Sequence, residues 1–420
     1  MEDFRVRGML SGVLVISTLF LGLVSVSGTP FAVDGRVLDS RHKMLRSNDA
    51  GDVQAQLFSA ASVETSYILS DGDVVTCIPI ENQPSVFHTN TNDIQLKPSK
   101  RPNSKTSSDD NKWTKKASQL FVKEFGGCPN GMIPVRRSRG GISTGSPVAN
   151  VQSQSAGSQT HYVHQHAYTS TTISHPPSFK GTEVVLNVWQ PFVEPRDFSL
   201  AQLWVMNTGL SYAPGSDDWA LNTIEAGWQV YSELYGDKRP RLFVYWTGDG
   251  YVKTGCYNLN QDCPSGSPGF VQVSNKVLLG GSISPHSAMN ATQYEIKLRV
   301  FKDDDSGNWW LQFNQEFVGY WPKSLFHSLK DESDLIQWGG EVFDVRESND
   351  KTKTHMGSGS PAQSGFREAA YQRNLQFIDM DNKMKDVHEL QAVATKPSCY
   401  TVFPENNQRW GTHFYYGGRC

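Results

Sequence analysis

The sequence has few charged residues for its length and almost no net charge. Its 39 Lys and Arg residues nearly balance 42 Asp and Glu, which leaves −3 at pH 7, and charged residues make up 19% of the 420. A balance of this kind gives no electrostatic reason to bind nucleic acid or an anionic membrane. We therefore expect neither as a partner and take an uncharged substrate as the default.

Several sequence motifs for metals, nucleotides and cysteine nucleophiles are also missing. The chain has no CxxC pair, no Cys/His spacing typical of zinc, no Walker loop and no dinucleotide fingerprint. A papain-like cysteine signature is absent too. We therefore expect no metal and no cofactor.

Long apolar runs are absent except at the N-terminus. Arg5 and Arg7 precede an apolar run from about Met9 to Val26, and small residues follow it. This pattern predicts a signal peptide over residues 1–27 and a secreted protein. A membrane anchor is the alternative, but the run is short and no cluster of positive charge follows it.

The six cysteines suit an oxidising compartment. Sequence alone allows 15 pairings, and the simplest joins neighbours along the chain. The single N-glycosylation sequon begins at Asn290 and fits a secreted surface loop. The neighbour pairing consists of Cys77–Cys128, Cys256–Cys263 and Cys399–Cys420.

Composition divides the remainder of the chain into three parts. Residues 28–140 are mixed, with strand-like runs and a polar loop, and residues 141–160 have the Gly, Ser and Gln content of a linker. Residues 161–420 contain many short alternating or apolar runs separated by turns, without long helical periodicity. This pattern predicts an all-β fold, an antiparallel β-sandwich or barrel.

One predicted strand, "TIEAGWQV", carries an acid beside a glycine. The two-residue period of a strand places Glu225, Gly227 and Gln229 on one face, opposite an apolar face. A glycine at such a place leaves room for another backbone to approach. A solvated surface acid is the alternative interpretation, because most charged residues are exposed.

A second strand, "IQWGGEVFD", repeats the arrangement. Glu341 shares a face with Gln337 and Gly339. If Glu225 and Glu341 meet in a groove, one keeps its proton, and the pair can combine a general acid with a general base. Spacing alone does not show that the two glutamates meet.

Histidines cluster in "HYVHQH", where His164 and His166 lie on one face of a predicted strand near the linker. Metal binding is conceivable, but no further ligand motif supports it. A role in pH response, shared with His161, is the hypothesis we favour for this cluster.

The C-terminal region resembles the neprosin family of secreted plant glutamic endopeptidases. The resemblance rests on "IEAGWQVYSELYGD", "RLFVYWTGDGYVKTGCYNL", "CPSGSPGFVQVS", "WWLQFNQEFVGYWPKSLF" and "IQWGGEV". Upstream, "GDVVTCIPIENQPSVFHTN" and "GGCPNGMIPVRR" are similar to the activation peptide of the same family.

This resemblance implies a β-sandwich catalytic domain over residues 161–420, preceded by a small mixed pro-domain. It implies a zymogen, with residues 28–140 as an inhibitory propeptide and a cut in the linker 141–160. Characterised members are active in acid and cleave after proline, so we expect a peptide or protein substrate. The family's catalytic glutamates fall on Glu225 and Glu341, and we expect Gly227, Gln229, Gln337 and Gly339 to line the groove.

Two rivals to a peptidase remain at this point. A β-jelly-roll glycoside hydrolase also uses two facing carboxylates. A non-catalytic sandwich that binds the cell wall or carbohydrate would need neither glutamate.

Overall fold

A computed structural model describes most of the chain after the first 64 residues. The predicted signal peptide and the predicted linker lie outside the described residues, so both stay predictions. The described residues are 65–86, 93–102, 113–137, 161–171, 178–209, 221–259, 263, 267–346 and 352–420.

The described part of the chain consists mainly of β-strands, which confirms the all-β prediction. Within the described residues, two short α-helices, α1 (Leu120–Phe125) and α2 (Ser232–Tyr235), interrupt them. Four 3-10 helices do so as well, at Ile80–Asn82, Pro84–Val86, Lys323–Leu325 and Ala362–Ser364. The strands are β1 (Thr65–Ile68), β2 (Val74–Pro79), β3 (Thr114–Lys116), β4 (Ser118–Gln119), β5 (Met132–Arg137), β6 (His161–Thr171), β7 (Gly181–Asn187), β8 (Phe198–Asn207), β9 (Asn222–Tyr231), β10 (Arg241–Thr247), β11 (Val271–Gln272), β12 (Ile283–Ser284), β13 (Gln293–Lys302), β14 (Trp309–Phe313), β15 (Glu316–Trp321), β16 (Leu335–Arg346), β17 (Ala370–Ile378), β18 (Met384–Asp386), β19 (Leu390–Ala394), β20 (Tyr400–Asn407) and β21 (Gly411–Gly418).

Two large sheets form an antiparallel sandwich. One has the strand order β10-β9-β8-β16-β6-β19, and the other has the order β11-β15-β14-β13-β7-β17-β21-β20, with β18 and β3 attached. Both sheets contribute apolar side chains to one buried cluster, as alternating strands require. Hydrogen bonds also cross the core, since the indole N–H of Trp228 donates to the Asn187 carbonyl at 2.9 Å.

Strand β9 shows how the sequence builds this layer. Its apolar positions, including Ile224, Ala226 and Trp228, belong to the buried cluster as the alternation predicts. The residues between them point away from the core. Among these is Glu225, so the alternation places this carboxylate on the outer face of the six-stranded sheet.

The N-terminal region packs against the sandwich. Its three-stranded sheet has the order β1-β2-β5, β3 runs parallel to β13, and β4 pairs with β12. Asp73, next to β2, forms buried ion pairs with Arg136 and with Arg241 of β10. The region before the linker is therefore joined to the sandwich by strand pairing and by buried charge. Its boundary at residue 140 stays a prediction.

The disulfides follow the neighbour pairing. The three bonds join Cys77 to Cys128, Cys256 to Cys263 and Cys399 to Cys420, and three disulfides fit an extracellular protein. No helix within the described ranges is long and apolar enough to cross a membrane. Asn290 is exposed at a turn, and its glycosylation stays a prediction.

Candidate active site

Glu225 lies on the outer face of β9 but is largely buried, with 7% of its surface exposed. Its Oε1 accepts hydrogen bonds from the hydroxyl of Thr223 at 2.9 Å and from the hydroxyl of Tyr251 at 2.7 Å. Tyr251 comes from the turn after β10, which the sequence "WTGDGY" marks. Two neutral donors therefore hold this carboxyl group in place.

Glu341 lies on β16 and is equally buried, at 7% exposed. It has a different set of partners. Nδ1 of His164 lies 2.5 Å from its Oε1, and Nε2 of His166 lies 3.6 Å from its Oε2. Both imidazoles come from β6, which pairs with β16 so that His166 stands directly beside Glu341.

The two glutamates lie on the same face of the six-stranded sheet. Gln202 at the centre of β8 pairs with Gly227 of β9 on one side and with Gly339 of β16 on the other. Cross-strand partners share a face, so Glu225 and Glu341 share it as well. We call the surface around Glu225, Gln202 and Glu341 the glutamate face.

The glutamates stand diagonally on either side of Gln202. Glu225 pairs with Trp204, two residues after Gln202, and Glu341 pairs with Leu200, two residues before it. The negative charge of Glu341 acts on Glu225 and disfavours its ionisation. The pair is therefore electrostatically coupled across β8.

Their surroundings push the two carboxyl groups in opposite directions. Burial raises the pKa of Glu225 to about 7, against the hydrogen bond from Tyr251, and the charge of Glu341 adds to this rise. Burial acts the same way on Glu341, but His166 and His164 outweigh it and lower the pKa of Glu341 well below its usual range. Below pH 7 the face therefore holds one protonated acid and one carboxylate.

His166 gains from the same contact. Burial would lower its pKa, but the charge of Glu341 and the contact with it raise the pKa above the ordinary value. A protonated imidazole beside a carboxylate is the arrangement that keeps Glu341 ionised. Within the described ranges, no group of three or more His, Cys, Asp or Glu side chains has the arrangement of a metal site.

The predicted groove residues all lie on the glutamate face. The Gln229 side chain donates to the Tyr257 hydroxyl at 3.3 Å and accepts from the Tyr235 hydroxyl at 3.4 Å. Gln337 is partly buried at the other edge of the face, beside Trp204. Their role in substrate binding stays a prediction.

The two glycines have a structural reason of their own. A Cβ on Gly227 would lie 1.9 Å from the Ala201 carbonyl oxygen, and one on Gly339 would lie 2.5 Å from the Ala167 carbonyl oxygen. The backbone that approaches each glycine is the neighbouring strand of the same sheet. These glycines bring the strands close together on either side of Gln202, between the two glutamates.

Aromatic side chains border the face at both ends. Trp204 stands beside Glu225, with its ring 6.4 Å from that of His166. At the other end, the ring of Phe343 lies 4.8 Å from His164 and 5.2 Å from Phe198. The glutamates therefore lie on a surface with apolar flanks.

Sequence reasoning missed three features of this face. It did not identify Gln202 or Tyr251, and it assigned His164 and His166 to the linker region rather than to Glu341. The alternation in "SLAQLWVMN" places Gln202 and Trp204 on one face, which is a usable signal. Strand pairing, which the sequence does not show, is what brings them to the glutamates.

Comparison with known proteins identifies the family to which the chain belongs. The family model Neprosin matches residues 195–419, more than half of the chain, and both glutamates lie within the match. The protein belongs to the Neprosin family. This membership supports a peptidase.

Two solved structures show only weak similarity. Scytalido-glutamic peptidase with a transition state analog inhibitor is 8% identical, with a TM-score of 0.30, and the match covers 62% of this chain and 100% of that one. CG-16, a homodimeric agglutinin from chicken liver, is 9% identical with a TM-score of 0.19, over 45% and 96% of the two chains. TM-scores this low support no conclusion about this chain.

Proposed function

We propose that this protein is a secreted glutamic endopeptidase that hydrolyses peptide bonds with Glu225 and Glu341. The observation that carries the proposal is the presence of two buried carboxyl groups on one sheet face, one bonded to neutral hydroxyls and the other beside two imidazoles. One protonated and one ionised carboxyl group are what general acid and general base catalysis of amide hydrolysis require. Family membership and the two intact motifs around the glutamates support the same reaction.

We assign a role to each glutamate from its surroundings. The Glu341 carboxylate takes a proton from a water molecule, whose oxygen then bonds to the scissile carbonyl carbon. Glu225 gives its proton to the carbonyl oxygen as the C=O π bond breaks. When the tetrahedral intermediate collapses, the hydroxyl proton returns to Glu225, the C–N bond breaks, and Glu341 gives its proton to the leaving amine. Both glutamates end in their starting states.

The proposed substrate is a peptide or protein cleaved at proline-containing sites in acid. The acid preference follows from Glu225, which loses its proton as the pH rises through about 7. The apolar flanks around Trp204 and Phe343 suit an apolar residue such as proline. The preference for proline itself comes from the family resemblance.

We further propose that residues 28–140 are a propeptide that inhibits the enzyme until the linker 141–160 is cut. The contacts of Asp73 with Arg241 and of β3 with β13 support a stable association of this region with the sandwich. Acid weakens the first contact. Arg136 and Arg241 hold the pKa of Asp73 below its ordinary value of 3.8 despite its burial, so the contribution of this contact is present above pH 3.8 and lost as the pH falls below it.

The test uses the processed protein on proline-containing peptides and on wall glycans at acid pH. Cleavage of proline-containing peptides by the wild type, with loss of cleavage in both Glu225→Gln and Glu341→Gln, is the expected result. Hydrolysis of wall glycans instead would assign a glycoside hydrolase, and glycan binding without hydrolysis would assign a binding module. Peptide cleavage retained in both variants would refute the pair.

A further inference from the structure

The side-chain amide of Gln202 is buried on the glutamate face. Its side chain is fully buried, at 0% exposed, and neither Nε2 nor Oε1 has a hydrogen-bond partner among the described residues. Native proteins pair nearly all of their buried polar groups, because an unpaired one loses its bonds to water without replacement. An unpaired amide at the centre of a proposed active site therefore calls for a function.

Its position lies between the reacting groups. Gln202 stands midway between the strand positions of Glu225 and Glu341 on the glutamate face, with a glycine beside it on each neighbouring strand. Its amide is close enough to Glu225 to lower the pKa of that carboxyl group, although the contact falls short of a hydrogen bond. Because Gly227 and Gly339 have no side chains, neither occupies the space beside the amide.

The backbone beneath the amide is fixed from the opposite sheet. Gln372 of β17 donates from Nε2 to the Gln202 carbonyl at 3.3 Å and to the Gly339 carbonyl at 3.0 Å. This contact anchors the main chain of β8 and β16 and leaves the Gln202 side chain unbonded. The amide is thus held in place by its main chain while its own hydrogen-bonding capacity stays unused.

We propose that Gln202 binds the scissile peptide group, its Nε2 donating a hydrogen bond to the carbonyl oxygen that Glu225 protonates. This inference rests on the proposed function. As negative charge develops on that oxygen in the transition state, a donor already in place stabilises it without reorganisation.

An amide suits this place better than a charged donor. A lysine or arginine between the two glutamates would favour ionisation of Glu225 and so remove the proton that the reaction needs. An amide stays neutral throughout the working pH range. Gln202 therefore adds a hydrogen-bond donor without changing the unequal protonation of the pair.

The experiment replaces Gln202 with methionine, which has a similar shape and no amide. The expected result is a fall in kcat on the order of 100-fold or more, with KM changed by no more than about threefold, because the hydrogen bond strengthens chiefly in the transition state. The Tm is expected to stay equal or to rise, because the substitution removes an unpaired buried amide. Ser199→Ala is the matched control, since Ser199 lies on β8 with an unpaired buried hydroxyl on the opposite face.

Unchanged kcat in Gln202→Met would overturn the inference, and so would a loss of kcat explained by a lower Tm. If the methionine variant fails to fold, Gln202→Glu serves instead. The new carboxyl group donates a hydrogen bond only when it is protonated. We therefore expect this variant to be active in acid and to show one additional ionisation in the pH profile of kcat. The wild-type pH profile in this variant would overturn the inference.

The two proposals fail in different ways. Retained cleavage in Glu225→Gln and Glu341→Gln refutes the glutamate pair and with it the proposed function. Full activity in Gln202→Met, together with loss of activity in both glutamate variants, refutes only the role of Gln202. Binding of a fluorescent substrate peptide is then measured in Glu341→Gln and in Glu341→Gln/Gln202→Met. A similar Kd in both variants would show that Gln202 acts in the transition state. Loss of binding in the double variant would contradict this.

Discussion

Nδ1 of His164 lies 2.5 Å from Oε1 of Glu341, in a contact between two neighbouring strands that are far apart in the sequence. His166 adds a second imidazole, 3.6 Å from the other carboxylate oxygen. Together they oppose the effect of burial and keep Glu341 ionised in acid. These two contacts keep Glu341, the base of the proposed mechanism, negatively charged.

Replacing either histidine with glutamine removes part of this effect. Burial then dominates and the pKa of Glu341 rises, so its carboxylate is lost at a higher pH than in the wild type. We expect the acid limb of the kcat/KM profile to move to higher pH in His164→Gln and His166→Gln. His286→Gln, an exposed loop position, is the control, and an acid limb unchanged in both variants would contradict the prediction.

The hydroxyl of Tyr251 affects the basic limb of the kcat/KM profile. It donates to Glu225 at 2.7 Å and, by stabilising the carboxylate, holds the pKa of this group lower than burial alone would. Tyr251→Phe is expected to raise this pKa further above 7, so activity should extend to more alkaline pH. The pH dependence of kcat/KM measures the shift. A basic limb that stays unchanged would show that Tyr251 does not act on Glu225.

The raised pKa of Glu225 also predicts how stability depends on pH. Because the folded state binds this proton more tightly than the unfolded state, the contribution is complete below pH 4.5 and is lost as the pH rises through about 7. A rise of the pKa from 4.5 to about 7 corresponds to about 3 kcal/mol. Glu225→Gln cannot ionise and should not show this loss.

Urea unfolding at pH 5 and at pH 8 measures this difference. Relative to Glu225→Gln, the free energy of unfolding of the wild type should be lower at pH 8 than at pH 5 by about 2.5 kcal/mol. The same relative stability at both pH values would mean that Glu225 has an ordinary pKa.

The contact of Asp73 with Arg241 predicts the cost of separating the N-terminal region from the sandwich. Arg241 is fully buried, and Asp73 accepts from it at 2.6 Å while also pairing with Arg136. Asp73→Asn leaves buried positive charge with fewer partners, and we expect the full chain to lose about 3 kcal/mol of stability. Asp381→Asn removes an exposed ion pair with Lys383 and should cost less than about 1 kcal/mol. Equal effects of the two substitutions would contradict the prediction.

The fold class and part of the site could be predicted from the sequence. Alternation in "TIEAGWQV" and "WGGEV" is local information, so the outward orientation of Glu225 and Glu341 could be predicted from it. The neighbour pairing of cysteines could also be predicted, because each bond joins two cysteines that follow one another in the sequence. The all-β architecture followed from short runs and turns, which are also local.

Strand order was the information that the sequence did not contain. Strand β8 lies between β9 and β16, and β16 lies between β8 and β6, so partners far apart in the chain become neighbours. His164 therefore reaches Glu341, and Gln202 stands between the two glutamates, for reasons that no local pattern expresses. The protonation of the pair depends on these neighbours and could not be predicted without them.

The most direct test of the central claim is the protonation of the two glutamates. Infrared difference spectroscopy of the processed protein between pH 5.5 and pH 8 detects a carboxylic acid that loses its proton near pH 7. The account predicts a protonated carboxyl band that is present in the wild type, absent in Glu225→Gln and retained in Glu341→Gln, where its midpoint should move to lower pH because a neighbouring negative charge is gone. A band lost in Glu341→Gln and kept in Glu225→Gln, or no band in the wild type, would contradict the account.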